Sequence, residues 1–188
     1  MKINNNQRII SLYSTVFIII SLTTVYLPIW LHEIVELKLE HIGYLFAAVG
    51  FFKIFFNIYA IKNLQSLNAK KIMAMSIIIL MILMYVIILS INKKESNFVV
   101  FLIFFTLILF SPILPIVENI STILNKDFLS KYGKLRISGS LSFLISVVTI
   151  GYFIELFEIK AFSIIILISF ILFLLSLALI SNKKKLKD

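Results

Sequence analysis

Six long apolar runs take up nearly the whole chain, and they decide its solvent. They fall near Ile9–Leu31, Ile42–Ile61, Ile72–Ile91, Phe98–Ile120, Ile137–Phe157 and Ala161–Ile180. About 20 apolar residues in a helix span the hydrocarbon core of a bilayer. A helix satisfies its own backbone hydrogen bonds, so it can face lipid. Barrel strands would show as short alternating segments, and these are absent. With 61% of 188 residues hydrophobic, a soluble core could not hide the apolar surface. The pattern predicts an all-α polytopic membrane protein: one six-helix transmembrane domain over residues 1–188, with the lipid bilayer as its main partner.

The net charge of +9 would suggest nucleic acid in a soluble protein. Here its distribution gives orientation instead, and no nucleic-acid partner is expected. Cytoplasmic loops collect Lys and Arg. With the N-terminus inside, that side holds Lys2, Arg8, Lys62, Lys70, Lys71, Lys126, Lys131, Lys134, Arg136 and the tail Lys183, Lys184, Lys185 and Lys187. The outer side holds only Lys38, Lys93, Lys94 and Lys160, together with most of the acids. Both termini are therefore predicted cytoplasmic, in a bacterial inner membrane. The stretch after Arg8 is too long for a signal peptide and reads as a first retained span. The absence of Cys excludes disulfides, thiolate metal sites and thiol nucleophiles.

The runs differ in polar content. The third has Ser76, Tyr85 and Ser90, and the sixth has Ser163, Ser169 and Ser176. The first carries Ser14, Thr15, Ser21, Thr23, Thr24, Tyr26 and Pro28. The second carries Lys53 and Asn57, the fourth Ser111, Glu118 and Asn119, and the fifth five hydroxyl residues. Polar side chains in hydrocarbon face a bundle interior or a watery cavity. Spans one, two, four and five are thus expected inside, with three and six at the periphery. Two inner helices and one outer one, repeated, match an inverted pair of three-helix units. Ser138, Ser142 and Ser146 form a small-residue ridge, as do Gly43 and Ala47, suited to close helix approach or to a partner. Pro112 and Pro115 each remove a helix hydrogen bond and predict a kink.

Lys53 is the costliest group, roughly 16 Å into the second span and so near the midplane. A functional or paired role is weighed against a side chain bent toward carbonyls or water. Glu118 lies near the cytoplasmic end of the fourth span. Carboxyl groups taken out of water favour their protonated form, which suits proton-coupled transport. The structural alternative pairs Glu118 with Lys134 or Arg136. The cationic segment Lys126–Arg136 reads as a loop that anchors topology. His32 and His41, near Glu33, Glu36 and Glu40, read as solvated loop residues, since their spacing matches no metal motif. Ser138-Gly139-Ser140 lacks a base, both histidines being at the opposite membrane face. The chain is therefore read as neither an enzyme nor a holder of a metal or cofactor.

Two stretches carry a family resemblance: Pro112-Ile-Leu-Pro-Ile-Val-Glu-Asn119, and Tyr132-Gly-Lys-Leu-Arg-Ile-Ser-Gly-Ser140. Tyr26-Leu-Pro-Ile-Trp-Leu31 and Gly50-Phe-Phe-Lys-Ile-Phe-Phe-Asn57 add to it in order. Together they resemble the major facilitator superfamily, in the branch of phenylpropionate permease-like and lactose permease-like symporters. Ser138 stands where that branch has Trp, and Lys53 where it usually has Arg. The segment Lys62–Lys71 keeps only the closing basic pair of the family's loop motif. The resemblance covers the chain but corresponds to the N-terminal six-helix half of a family member. It implies a cavity lined by the first and fourth helices, with Thr23, Thr24, Lys53, Glu118 and Asn119 on a substrate or proton pathway. It assigns gating or structural roles to Pro28, Asn57, Pro112, Pro115, Tyr132, Gly133, Arg136 and Gly139.

The function expected from this is half of a secondary transporter, moving a small organic solute by alternating access, with protons coupled through Glu118. Its partner would be a second six-helix half or another copy of the chain. The alternatives are an inactive remnant of such a transporter and a membrane scaffold without transport.

Overall fold

A computed structural model describes residues 5–62, 67–90, 96–124 and 128–180. Its helices are α1 (Asn5–Ser21), α2 (Leu27–Glu33), α3 (Leu39–Lys62), α4 (Leu67–Ser90), α5 (Ser96–Phe110), α6 (Ile113–Leu124), α7 (Phe128–Phe157) and α8 (Phe162–Ala178). A π-helical turn, Leu22–Tyr26, joins α1 to α2, and a 3-10 turn, Ile159–Ala161, leads into α8. No strand occurs among the described residues. Six helical stretches are long and apolar enough to cross a membrane: Gln7–Glu33, Leu39–Ala60, Asn68–Leu89, Asn97–Ile123, Tyr132–Phe157 and Ile159–Ala178. The six predicted runs correspond to these in order. The cations Lys126 and Lys183–Lys187 lie outside the described residues.

Two crossings are broken, each beside a proline. Pro28 has no N–H to give to the carbonyl of Thr24 and follows directly on the π turn. There the Leu27 N–H reaches back to Leu22 O, one residue further than in an α-helix. The Thr23 hydroxyl bonds back to the carbonyls of Ile19 and Ile20 in the turn before, and Thr24 donates to Ile20 O at 2.7 Å. At Ser111-Pro112 the fourth crossing turns and restarts as α6, with Pro115 in its first turn. The Ser111 N–H and hydroxyl both reach Ile108 O. Hydrocarbon offers no water to these groups, so hydroxyls from the chain take its place.

The helices form two rows. The first crossing packs on the fifth and sixth and on α6. The fourth packs on the second and third, and the third packs on the sixth. The second and fifth crossings therefore stand at opposite flanks of a front row whose middle is the first and fourth, with the third and sixth behind. This corrects the expected division into inner and outer helices. About half of the first crossing is buried, 44% of the fourth and sixth and 33% of the third, against only 17% of the second and fifth. The serines of the sixth helix explain the difference. Ser163, Ser169 and Ser176 are all buried, in phase with Phe162, Ile166, Phe170, Phe173 and Leu177, and Ser176 meets Thr15 of α1 at 3.1 Å. They mark a packing face where the sequence suggested a lipid-facing helix.

The small-residue ridge of α7 serves α1. Ser146 donates to Ser21 at 2.7 Å, and the Tyr26 hydroxyl donates to Val147 O. A Cβ at Gly139 would lie 2.7 Å from the Phe17 ring, and one at Gly151 would lie 2.9 Å from the Tyr26 hydroxyl. Gly43, Gly50 and Gly133 face open space, and Ala47 is exposed, so the ridge expected on the second span approaches nothing among the described residues. The cationic segment before the fifth span is also not a loop. From Phe128 onward it is the first turns of α7, which suits a run of straight-chain and aromatic residues at a membrane boundary.

These contacts separate two glycines of one motif. Gly139→Leu should lower the thermal unfolding midpoint in detergent, by overpacking worth about 1–3 kcal/mol. Gly133→Ala should leave it unchanged or raise it slightly, by up to about 1 kcal/mol. Equal effects of the two would show that the α1–α7 contact is not tight.

Candidate functional site

The end of α6 carries two polar residues in succession, Glu118 and Asn119. Neighbours on a helix lie about 100° apart, so the two face different partners. Glu118 faces α7. Arg136 Nη1 donates to Glu118 Oε1 at 2.9 Å. The Tyr132 hydroxyl lies 3.4 Å from the same oxygen and 3.5 Å from Nη1. Tyr132 and Arg136 are four residues apart and so share one face of α7. The Glu118 side chain is 30% exposed and that of Arg136 50%, so the charges sit at the edge of the bundle and still reach water. Of the two cations weighed as partners of Glu118, the structure selects Arg136.

Asn119 faces α4. Lys70 Nζ donates to its Oδ1 at 2.6 Å. Lys70 is only 7% exposed, although the sequence placed it among the solvated cations of a loop. The signal was present in its phase. Lys70, Ala74, Ile77, Ile78, Met81, Tyr85 and Ile88 are all buried and follow one stripe of α4. Its neighbour Lys71 donates to Ile180 O at 2.8 Å, just beyond α8, where carbonyls lack helical partners. The basic pair thus binds the third crossing to the fourth and the sixth.

Tyr13 completes the cluster. It is fully buried in phase with Ile9, Leu12, Val16 and Ile19, and its ring stacks on Phe17 at 6.3 Å. Its hydroxyl has no hydrogen-bond partner among the described residues. Sequence reasoning passed over it because a Tyr on an apolar stripe reads as core. A carboxylate, a guanidinium and the Tyr132 phenol from the fourth and fifth crossings therefore meet at the end of the bundle that holds the start of α1, where Tyr13 of the first crossing is buried. This set can hold a proton, or hydrogen-bond a polar solute.

The other predicted residues lie apart from it. Thr23 is buried and Thr24 exposed, both in the π turn and both bonded to backbone. Asn57 Oδ1 lies 2.8 Å from the Ser111 hydroxyl, tying α3 to the break before Pro112. Lys53, one turn before Asn57, is exposed and has no hydrogen-bond or ion-pair partner among the described residues. It lies about 160–180° round the helix from exposed Phe51, Phe55 and Tyr44, and close in angle to buried Val49 and Ala60. Its side chain therefore leaves α3 on the side of the bundle's own packing face. His32 Nδ1 lies 2.9 Å from Leu37 O, within its own turn.

Six helices in two rows, broken in the first and fourth, form half of a major facilitator fold and define a polytopic membrane protein of the transporter type. The model of the MFS_1 like family matches residues 8–188, and the chain belongs to that family. No curated protein and no solved structure gives a significant match.

The Lys70–Asn119 contact gives a test. Asn119→Ala leaves an ammonium buried without its acceptor and should cost about 1–3 kcal/mol. Lys70→Met together with Asn119→Leu removes both groups and should restore most of that loss. Thermal unfolding of the two variants and the wild type measures it; three equal midpoints would mean that Lys70 is hydrated.

Proposed function

We propose that the chain is one six-helix half of a secondary transporter, which carries a small organic solute across a bacterial inner membrane by alternating access. Family membership carries this reading. The two-row packing supports it. The second and fifth crossings carry polar side chains yet are the least covered by their own chain, as expected of flanks that meet a second six-helix bundle. That bundle is supplied by another chain segment or by a second copy. The domain is the whole of residues 1–188, and both termini face the cytoplasm, following the cations that gather at that end.

Proton coupling falls to Glu118. Its carboxylate holds the Arg136 guanidinium in the arrangement described. When the halves rock, the pair separates and the carboxylate takes a proton in place of the guanidinium. Tyr132, bonded to both, steadies the exchange. Lys53, Thr23 and Thr24 lie on the solute path, with Asn119 joining it from α6. The breaks at Pro28 and Pro112–Pro115 bend as the halves move, Asn57 steadies the second of them, and Gly139 lets α1 and α7 move as one body. Gly133 and Arg136 open α7 at the gate. The reading assigns no chemistry beyond transport, and no cofactor.

Vesicles loaded with a pH-sensitive dye test the coupling. A panel of sugars, organic acids and nucleosides should contain a solute that acidifies the lumen through the wild type. Glu118→Gln should abolish that acidification, by about 100-fold or more, while leaving solute exchange measurable. Acidification unchanged in Glu118→Gln would remove Glu118 from the proton path. Orientation is checked separately, since the chain has no Cys of its own. In intact cells an impermeant maleimide should label Glu36→Cys but not Gln7→Cys, and the reverse result would invert the topology.

A further inference from the structure

The fifth and sixth crossings are consecutive, joined by a tight turn at Glu158, yet α7 and α8 scarcely touch: both pack on α1. Between them lies a trough of about 470 Å³, floored by Ile18 of α1 and edged by Ile145 and Ile168, which are half exposed toward the membrane. Ser142, Ser146, Thr149 and Ser169 line it. Each of these hydroxyls is already bonded within the chain: to Ser138 O, to Ser21 and Phe143 O, to Ile145 O, and to Ile165 O. What they present to the trough is carbon. A second chamber of about 430 Å³ continues it, sharing Phe153 and Ile165, and this one ends at Lys160. Lys160 is held by Glu158 at 2.8 Å, with the two side chains 69% and 71% exposed.

We propose that this trough binds one membrane phospholipid, its acyl chain laid between α7 and α8 and its phosphate on Lys160. The shape is that of such a molecule: a long apolar channel inside the span, with a single cation at the interfacial end. A polar solute would need free donors as well as acceptors along the channel, and these hydroxyls have spent their donors within the chain, leaving a lining that is mostly carbon. A second copy of the chain is disfavoured by charge. A symmetric pair meeting through this trough would set two Lys160–Glu158 pairs at one level of the bilayer with no net attraction, whereas a phosphate brings an added anion to the exposed ammonium. The exposed partner Glu158 is no obstacle, because a solvated ion pair re-forms readily around a second anion. The lipid would fill the gap that the diverging helices leave and brace the fifth crossing from behind.

The test counts retained lipid. Protein is reconstituted in vesicles of equal parts phosphatidylglycerol and phosphatidylethanolamine, extracted in mild detergent, and weighed intact by native mass spectrometry. The wild type should keep one phospholipid per chain. Ile168→Trp, which fills the trough from its rim, should lower that occupancy about tenfold. Lys160→Ala should lower it about fivefold. Leu175→Trp, on an exposed position of α8 outside the trough, should leave it unchanged. Three outcomes would overturn the proposal. One is a wild type that retains no more lipid than Ile168→Trp. Another is an equal loss in Leu175→Trp, which would mean ordinary boundary lipid. The third is efficient disulfide cross-linking between copies of Ile168→Cys in the membrane, which would give the trough to a second copy.

Discussion

Every backbone group that leaves its helical ladder inside hydrocarbon must find a partner within the protein, because the solvent offers none. The rest of this structure follows from where the chain breaks that ladder. It does so twice, at the π turn Leu22–Tyr26 and at Ser111-Pro112, and both breaks lie in the crossings at the middle of the front row. At the second, Ser111 itself bonds Ile108 O, the carbonyl that Pro112 leaves without an N–H; at the first, Thr23 and Thr24 bond the carbonyls of the turn before. A break at the flank would have met lipid; in the middle of the row it meets neighbours. The second crossing adds Asn57 to the Ser111 break, and the fifth accepts the Tyr26 hydroxyl at the end of the π turn. Packing order and helix irregularity are thus one arrangement.

The cluster at the other end of the first crossing has a different logic. Successive polar residues on α6 are pulled in two directions, Glu118 to Arg136 and Asn119 to Lys70. The fourth crossing is thereby pinned to the fifth by a pair that reaches water and to the third by a buried Lys70 that meets an exposed Asn119. Such a difference in exposure divides the two contacts by ease of opening. Arg136, half exposed, exchanges partners at small cost in desolvation, while Lys70, buried, is the costlier cation to leave without an acceptor.

The membrane class, the number of crossings and their order were legible in the sequence, because hydrocarbon length and apolar runs constrain each other directly. The proline break at 112 and the Arg136 option for Glu118 were legible for the same kind of local reason. The depth of each helix in the bundle was not. Ser163, Ser169 and Ser176 looked like sparse polar interruptions on a peripheral helix, but a serine that bonds its own backbone is nearly apolar, and its small size then favours packing. Lys70 was hidden by its neighbours in sequence, since a basic pair at a helix start reads as solvated until the phase of α4 is followed through seven positions. For Lys53 the sequence offered a functional or paired role, and no partner for it occurs among the described residues.

The π turn has one more result. One residue wound in excess rotates everything beyond it by about 100° relative to an unbroken helix. Below the turn, α1 offers its buried stripe to α7 and α8; above it, α2 meets α3 and the turn before α8 instead. A single crossing therefore changes neighbours partway along its length. The spare residue works as a splice between two azimuths, so shortening this strand of sequence by one position would re-aim Trp30 and Leu31 while leaving every residue before Leu22 where it was.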